Sequence, residues 1–392
     1  MVLPPSGKFF QRIRFDQLES DCVAGVVEAH TERKVMKWIP SLTSLFLLPG
    51  LSLGQELATE RRIGRIETVA TFEGPMPTGV TVSNEGRVFV NFPKWGDNVQ
   101  YTVAEVKDRK TLPYPNADIN AYHNGSPQAD KLVSVQSVVV DPTGNRLWIL
   151  DTGSIGFGPV KPGGPKLIAV DLATNKIIKK IVFPSDVALS TSYLNDVRFD
   201  LRRGTQGMAF ITDSTSSGSN GIVVVDLASG KSWRRLHDHA STKPDPQFVP
   251  IVEGEVMQLW LPGQSPMRFA VGSDGIAISP DGQTLYYCPL TSRHLYSVSV
   301  DALADQSQTE AGVAATVKDL GEKGGASDGL ESDAQGRVYL SAYEHDAIRR
   351  RTLDGKIDTL VHDPRVLWPD TLSLAADGYL YFKSSRAPAL IS

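Results

Sequence analysis

Two cysteines in 392 residues rule out a disulfide framework as the basis of this fold. They are Cys22 and Cys288. Charge of one sign is also scarce in excess. Forty Lys and Arg stand against 44 Asp and Glu, a net of −4, and the pI is near 6.0. That balance lacks the basic excess of a nucleic-acid binder. No Gly-rich phosphate loop, Gly-x-Ser-x-Gly elbow or His-Glu-x-x-His pair occurs, so the chemistries those motifs carry are excluded. The apolar segment Trp38–Leu53 is too short for an ordinary membrane span and is broken by Pro40 and Pro49.

What the chain does have is turns and repetition. Its 34 Gly and 25 Pro suit a fold of many tight turns. The stretch Ser273–Val300, SDGIAISPDGQTLYYCPLTSRHLYSVSV, holds three apolar runs too short for helices and rich in β-branched and aromatic residues. Pro280-Asp281-Gly282-Gln283 parts the first two. Pro presets φ there and Gly accepts the positive φ that follows. Five further stretches repeat the unit: Thr78–Val90, Gln136–Leu150, Asn195–Thr212, Ser327–Ala342 and Pro369–Phe382. Five of the six carry a turn with Asp or Asn one to three residues before a Gly, and the Asn195 copy has Arg202-Arg203-Gly204 instead. Six copies of an antiparallel unit predict an all-β, six-bladed β-propeller over residues 66–392, with a β-sandwich as the alternative.

In chain order, residues 1–35 show no repeat. Met36-Lys37, the apolar segment after it and the small residues at Ser52-Leu53-Gly54 make a secretory signal over residues 36–54. An export signal begins a chain, so translation is expected to start at Met36, with residues 1–35 a spurious extension. Cys22 is then lost, and Cys288 is a small buried hydrophobe on a strand. Residues 55–65 are a charged linker. Ile66–Phe72 is a strand expected to close the ring by joining the last blade, which removes two open edges. Blade one is expected from Thr78 to about Asp108, blade two from Val135 to Val182 and blade three from Asn195 to Leu236. The long insertion His237–Gly272 is expected to fold over one face. Blades four and five start at Ser273 and Ser327. Blade six starts at Trp368-Pro369-Asp370 with only ten residues after Phe382, and so looks short of strands.

The inner-strand starts should meet at one end of the central channel. Four of the six carry Asp: Asp196, Asp274, Asp328 and Asp370. Four carboxylates around one axis repel one another unless a cation or hydrogen bonds compensate. The structural alternative is that each Asp caps its own blade by accepting backbone N–H bonds. Trp95 and Trp368, near blade ends, could wall an apolar ligand, whereas Trp148 reads as strand core. His237-Asp238-His239 has no third ligand nearby and reads as exposed loop.

Five stretches resemble the Yellow/major royal jelly protein family: Pro77–Trp95, Gln136–Gly153, Tyr193–Asp200, Ser273–Val298 and Leu367–Phe382. The resemblance runs from about Glu67 to Ser385. It implies a secreted, monomeric six-bladed propeller, with no membrane contact once the signal is removed. Family members it resembles include small-ligand binders and proteins for which a dopachrome-converting activity has been proposed. The chain lacks the insect members' disulfide cysteines and their further C-terminal segment, which points to a microbial or fungal relative. It is also distantly similar to regucalcin–gluconolactonase propellers, whose metal site uses a Glu, an Asn and an Asp. By that similarity the metal candidates are Glu73, Asn195 and Asp274. All are hard oxygen donors, so Ca²⁺ or Mg²⁺ is implied.

Two functions follow as expectations. One is a binding propeller holding a small aromatic or lipid-like ligand at the channel mouth, with Asp196, Asp328, Asp370, Trp95 and Trp368 as contacts. The other is a metal-dependent lactone hydrolase or dopachrome-type isomerase using the Asp/Asn/Glu cluster. The export reading has its own check. N-terminal sequencing of secreted protein should find the first residue near Gln55, and a secreted chain beginning at Met1 would overturn it.

Overall fold

The computed structural model describes residues 8–14, 61–259 and 265–384. In chain order the strands open with β1 (Lys8–Arg14) and β2 (Glu67–Phe72). Blade one is β3 (Gly79–Val82), β4 (Val88–Asn91), β5 (Val103–Lys107) and β6 (Lys110–Pro113). Blade two is β7 (Val135–Val140), β8 (Arg146–Asp151), β9 (Lys166–Asp171) and β10 (Lys176–Val182). Blade three is β11 (Leu194–Asp200), β12 (Met208–Asp213), β13 (Gly221–Asp226) and β14 (Ser232–Arg235). The long insertion forms two small hairpins, β15 (Ile251–Val252) with β16 (Glu255–Val256) and β17 (Gln258–Leu259) with β18 (Met267–Arg268). Blade four is β19 (Ser273–Ile278), β20 (Thr284–Pro289), β21 (His294–Ser299) and β22 (Lys318–Glu322). Blade five is β23 (Ser327–Ser332), β24 (Val338–Ala342), β25 (Ala347–Arg351) and β26 (Ile357–His362). β27 (Pro369–Leu374) and β28 (Tyr379–Ser384) complete the set. Each blade is a four-stranded antiparallel sheet, and the inner strands touch in the order β3, β7, β11, β19, β23, β27 and back to β3. The molecule is a closed six-bladed propeller.

Apolar side chains fill the spaces between blades. Trp148, Leu150 and Leu167 of blade two pack on Val197, Phe199 and Ile211 of blade three. Trp148 stacks on Phe199 at 5.1 Å and donates its indole N–H to Asp141, as a core residue should. Cys288 is free and fully buried, in line with its reading as a small hydrophobe.

Blade six departs from the sequence expectation. Its order is β2-β1-β28-β27, so a strand from residues 8–14 lies between β28 and β2. The reading that set residues 1–35 wholly apart from the propeller therefore needs correction for this segment. Glu67–Phe72 does join the last blade, as its outermost strand. The hidden signal is a period of two, with Gln11 and Ile13 facing inward and Arg12 and Arg14 outward. Its inward side is part polar and no second strand of the repeat follows it, so it does not read as a blade strand. Side chains tie it down: Ile13 packs with Leu380 and Phe382, and Arg12 bonds Glu67 and Tyr381. The Arg12 guanidinium also sits 4.0 Å from the Tyr379 ring. The shortage of strands in blade six is thus met from the N-terminal side. The expected signal at 36–54 and Cys22 lie outside the described residues.

Blade one extends to Pro113, beyond the expected end near Asp108. Two short helices, Val300–Ala304 and Glu310–Ala314, interrupt blade four and carried no repeat signal. Among the described residues no helix is long and apolar enough to cross a membrane.

The place of β1 is open to measurement. Ile13 is 2% exposed, so Ile13→Ala should cost about 2–5 kcal/mol, read as a lower urea midpoint. An unchanged midpoint would put this strand outside the blade.

Candidate ligand site at the channel mouth

Strand direction assigns the faces. Every inner strand starts at one face, and every second strand ends there. Call this the upper face. The Gly-containing turns between first and second strands lie at the lower one, where carboxylates cap those of blades two and five. Asp141 accepts from the Thr143 N–H and Asp333 from the Gln335 N–H. Both also hold a second-strand aromatic, Trp148 and Tyr339.

The upper face is built differently. Five inner strands break register where they begin: β7 at Val135/Ser137, β11 at Leu194/Val197, β19 at Ser273/Ile276, β23 at Ser327/Leu330 and β27 at Pro369/Leu372. Such bulges re-aim side chains and recur beside functional sites. In four of them the irregularity carries an Asp: Asp196, Asp274, Asp328 and Asp370. Two bulges need glycine. A Cβ on Gly275 would lie 2.4 Å from the Asp328 carbonyl oxygen, and one on Gly329 would lie 2.6 Å from that of Asp370.

All four carboxylates are buried. Asp196 is compensated. It accepts from its neighbour's backbone N–H at 2.8 Å, from Ser137 Oγ at 2.7 Å and from Arg198 at 2.9 Å. No backbone N–H of the described residues donates to Asp274, Asp328 or Asp370, so they do not cap their turns. Trp368 Nε1 donates to Asp328 at 2.7 Å, and Lys383 Nζ lies 3.5 Å from Asp370. The three acids stand close enough to act on one another, with Asp328 the partner of both Asp274 and Asp370. Burial, and then the neighbouring carboxylates, push Asp274 and Asp370 well above the usual carboxylate range. Asp328 is raised too, by burial against the pull of Lys383 and the Trp368 N–H.

Aromatic rings stand on two sides. Trp95 stacks on Phe157 at 5.2 Å, and Phe157 meets Tyr193 at 5.2 Å. Trp95 Nε1 donates to Tyr193 Oη at 2.6 Å, which donates to Gln136 Oε1 at 2.9 Å. The Asp274 and Asp370 charges help to raise the Tyr193 hydroxyl, after burial, so this wall faces the acids. Phe157 is 48% exposed, an aromatic surface open at the mouth. Opposite, Trp368 stacks on Tyr343 at 4.2 Å. Its φ of 42° is strained for a bulky residue, a cost of about 1–3 kcal/mol, and holds the indole on Asp328. The long insertion covers this side: Phe248 and Val252 pack with Leu290, Tyr343 and Trp368.

The structure thus gathers Asp274, Asp328 and Asp370, links Asp196 to them electrostatically through Asp370, and sets Trp95 and Trp368 at the rim. Asn195 is buried beside Asp196, and its amide has no hydrogen bond among the described residues. Glu73 lies on the same face but is exposed, with no hydrogen bond to Asn195 or Asp274 among the described residues. Among the described residues no three His, Cys, Asp or Glu side chains are grouped as a metal would require. His237 is exposed, as expected of a loop residue. Sequence reasoning missed Tyr193, Phe157 and Lys383. Tyr193 stands one residue before β11, where its place in the repeat could have found it.

These features define a closed propeller with an acidic, aromatic-rimmed channel mouth. The chain belongs to the major royal jelly protein family, whose pattern matches residues 133–392. It is 27% identical over 255 residues to Protein yellow of Drosophila erecta, covering 61% of this chain and 43% of that protein. Protein yellow of Drosophila melanogaster is 26% identical over the same shares. The match spans less than half the length of these relatives. Among solved structures, a calcium-binding protein, regucalcin, from Agrobacterium tumefaciens is 14% identical with a TM-score of 0.48, covering 79% of this chain and 91% of that one. A gluconolactonase from Xanthomonas campestris is 12% identical with a TM-score of 0.44, covering 79% and 85%. At these values neither carries an argument about chemistry.

The raised acids make stability depend on pH in a definite direction. An Asp raised on folding stabilises fully below its unfolded value of about 4, and that stability is lost as pH rises toward the folded value. Asp274→Asn should therefore raise the urea midpoint at pH 7.5, with the gain shrinking toward pH 4. A variant less stable than wild type at pH 7.5 would show the cluster to be compensated.

Proposed function

We propose that this protein is an exported binding propeller that holds a small aromatic ligand, bearing a protonated amine, at the upper mouth of its channel. One observation carries the reading: a row of buried carboxylates short of cations stands beside the Trp95–Phe157–Tyr193 wall. A protonated amine would compensate Asp274, Asp328 and Asp370, and a flat ring would stack on the exposed Phe157. Export is inferred from the family; cleavage near Gln55 would remove β1 from blade six, so this reading requires an export route that leaves residues 8–14 in place.

A second reading is an enzyme of the lactone-hydrolase or dopachrome-isomerase kind. It is favoured by carboxyls that keep protons above the usual range, as a general acid needs. The donors are hard oxygens, which suit Ca²⁺ or Mg²⁺. Glu73, Asn195 and Asp274 would hold the ion with water, and it would polarise a carbonyl. The three are not drawn together by any interaction among the described residues, so the fit rests on donor chemistry.

Titration followed by tryptophan fluorescence separates the readings. Tryptamine should bind, indole-3-acetate and laurate much more weakly, and Asp328→Asn should lose about tenfold in tryptamine affinity. Equal binding of indole-3-acetate would overturn the amine reading. Turnover of a lactone or of dopachrome that a chelator abolishes would establish the enzyme instead.

A further inference from the structure

A cavity of about 480 Å³ opens on the upper face at the outer half of blade five, away from the acidic channel. Arg349 of β25, His345, His362, Thr359, Ile63 and Glu253 line it. Arg349 differs from most of the half-buried arginines. Arg87, Arg203, Arg293 and Arg337 each reach a carboxylate, whereas Arg349 has no ion pair and no hydrogen bond among the described residues. Its Nε is buried without an acceptor. Burial lowers its pKa, and the nearby Glu344 charge offsets this only in part.

The nearest acid is already spent. Glu344 takes Arg293 at 2.8 and 2.9 Å and the Ala326 N–H at 2.8 Å. The floor is kept open by glycine. A Cβ on Gly324 would lie 2.6 Å from Arg349 NH1, and one on Gly325 2.6 Å from the His345 ring. Both glycines have positive φ, 78° and 128°. The other charged groups here are Asp346, Glu253 at the tip of the β15–β16 hairpin, and His362, whose Nδ1 contacts the His345 carbonyl at 2.9 Å. Arg349 is the donor left over, and a planar guanidinium with five N–H groups selects a carboxylate or phosphate.

We propose that this pocket binds the oxyanion of a small molecule, a carboxylate or a phosphate, on Arg349 with His345 beside it. The site is separate from the channel mouth and does not depend on what binds there.

Calorimetric titration of the full chain with inorganic phosphate and, separately, with acetate tests it and tells the two chemistries apart. At least one anion should bind at millimolar concentration or below. Arg349→Gln should lose about tenfold or more, and Arg351→Gln, on the same strand outside the pocket, should lose nothing. The bound anion should raise the melting temperature of wild type and not of Arg349→Gln. His345→Asn, at an exposed position, gives a second weakened variant should Arg349→Gln not fold. Binding of neither anion at tens of millimolar, or equal binding by both pocket variants and wild type, would overturn the proposal.

Discussion

Six inner strands meet around one axis, and how closely their upper ends approach sets the rest of the upper face. Where the strands nearly touch, side chains from one blade bond the backbone of the next. Thr371 donates to the Thr78 carbonyl, Thr78 to that of Gln136 and Thr212 to that of Asp274. These bonds satisfy carbonyls that no water reaches. The same closeness demands glycine at 275 and 329 and forces the bulges that turn the aspartates inward. The acidic mouth is thus a product of ring closure.

That arrangement is expensive in two ways. Buried carboxylates with few cations oppose folding at neutral pH, and Trp368 holds a left-handed backbone. The lower face shows that the chain can solve such problems locally. Its turn carboxylates accept backbone N–H groups and pair with arginines, as Asp333 does with Arg337. In blade five aspartate is compensated at the lower end, at Asp333, and left under tension at the upper end, at Asp328. Tension confined to one end of a channel is the pattern expected of a site that something else completes.

Much of the fold was legible in the sequence because its unit is local. An inner strand, a Gly-containing turn and a second strand lie within about fifteen residues, so all six repeats announced themselves. β1 was not legible, because its partners β28 and β2 are remote in sequence and its inward side includes Gln11. The aspartates of the site could be read from their place in the repeat. Their bulges could not, since a register shift is a relation between two strands rather than a property of one. Trp95 was legible as a candidate, but its link through Tyr193 to the acids depends on blades one and three meeting in space. Arg349 gave no sign at all, since being unpartnered is visible only once every neighbour is placed.

Blade six is assembled from both ends of the described chain, with β1 clasped between β28 and β2. A ribosome delivers β1 first and β28 last. Five blades can form as they emerge, each from contiguous chain, but β1 and β2 can pair only with each other until β27 and β28 have been made. Until then Ile13 lacks Leu380 and Phe382, the blade-six residues that cover it. The final step in making this protein is a clasp rather than an extension, and a nascent chain halted before residue 369 is an open ring.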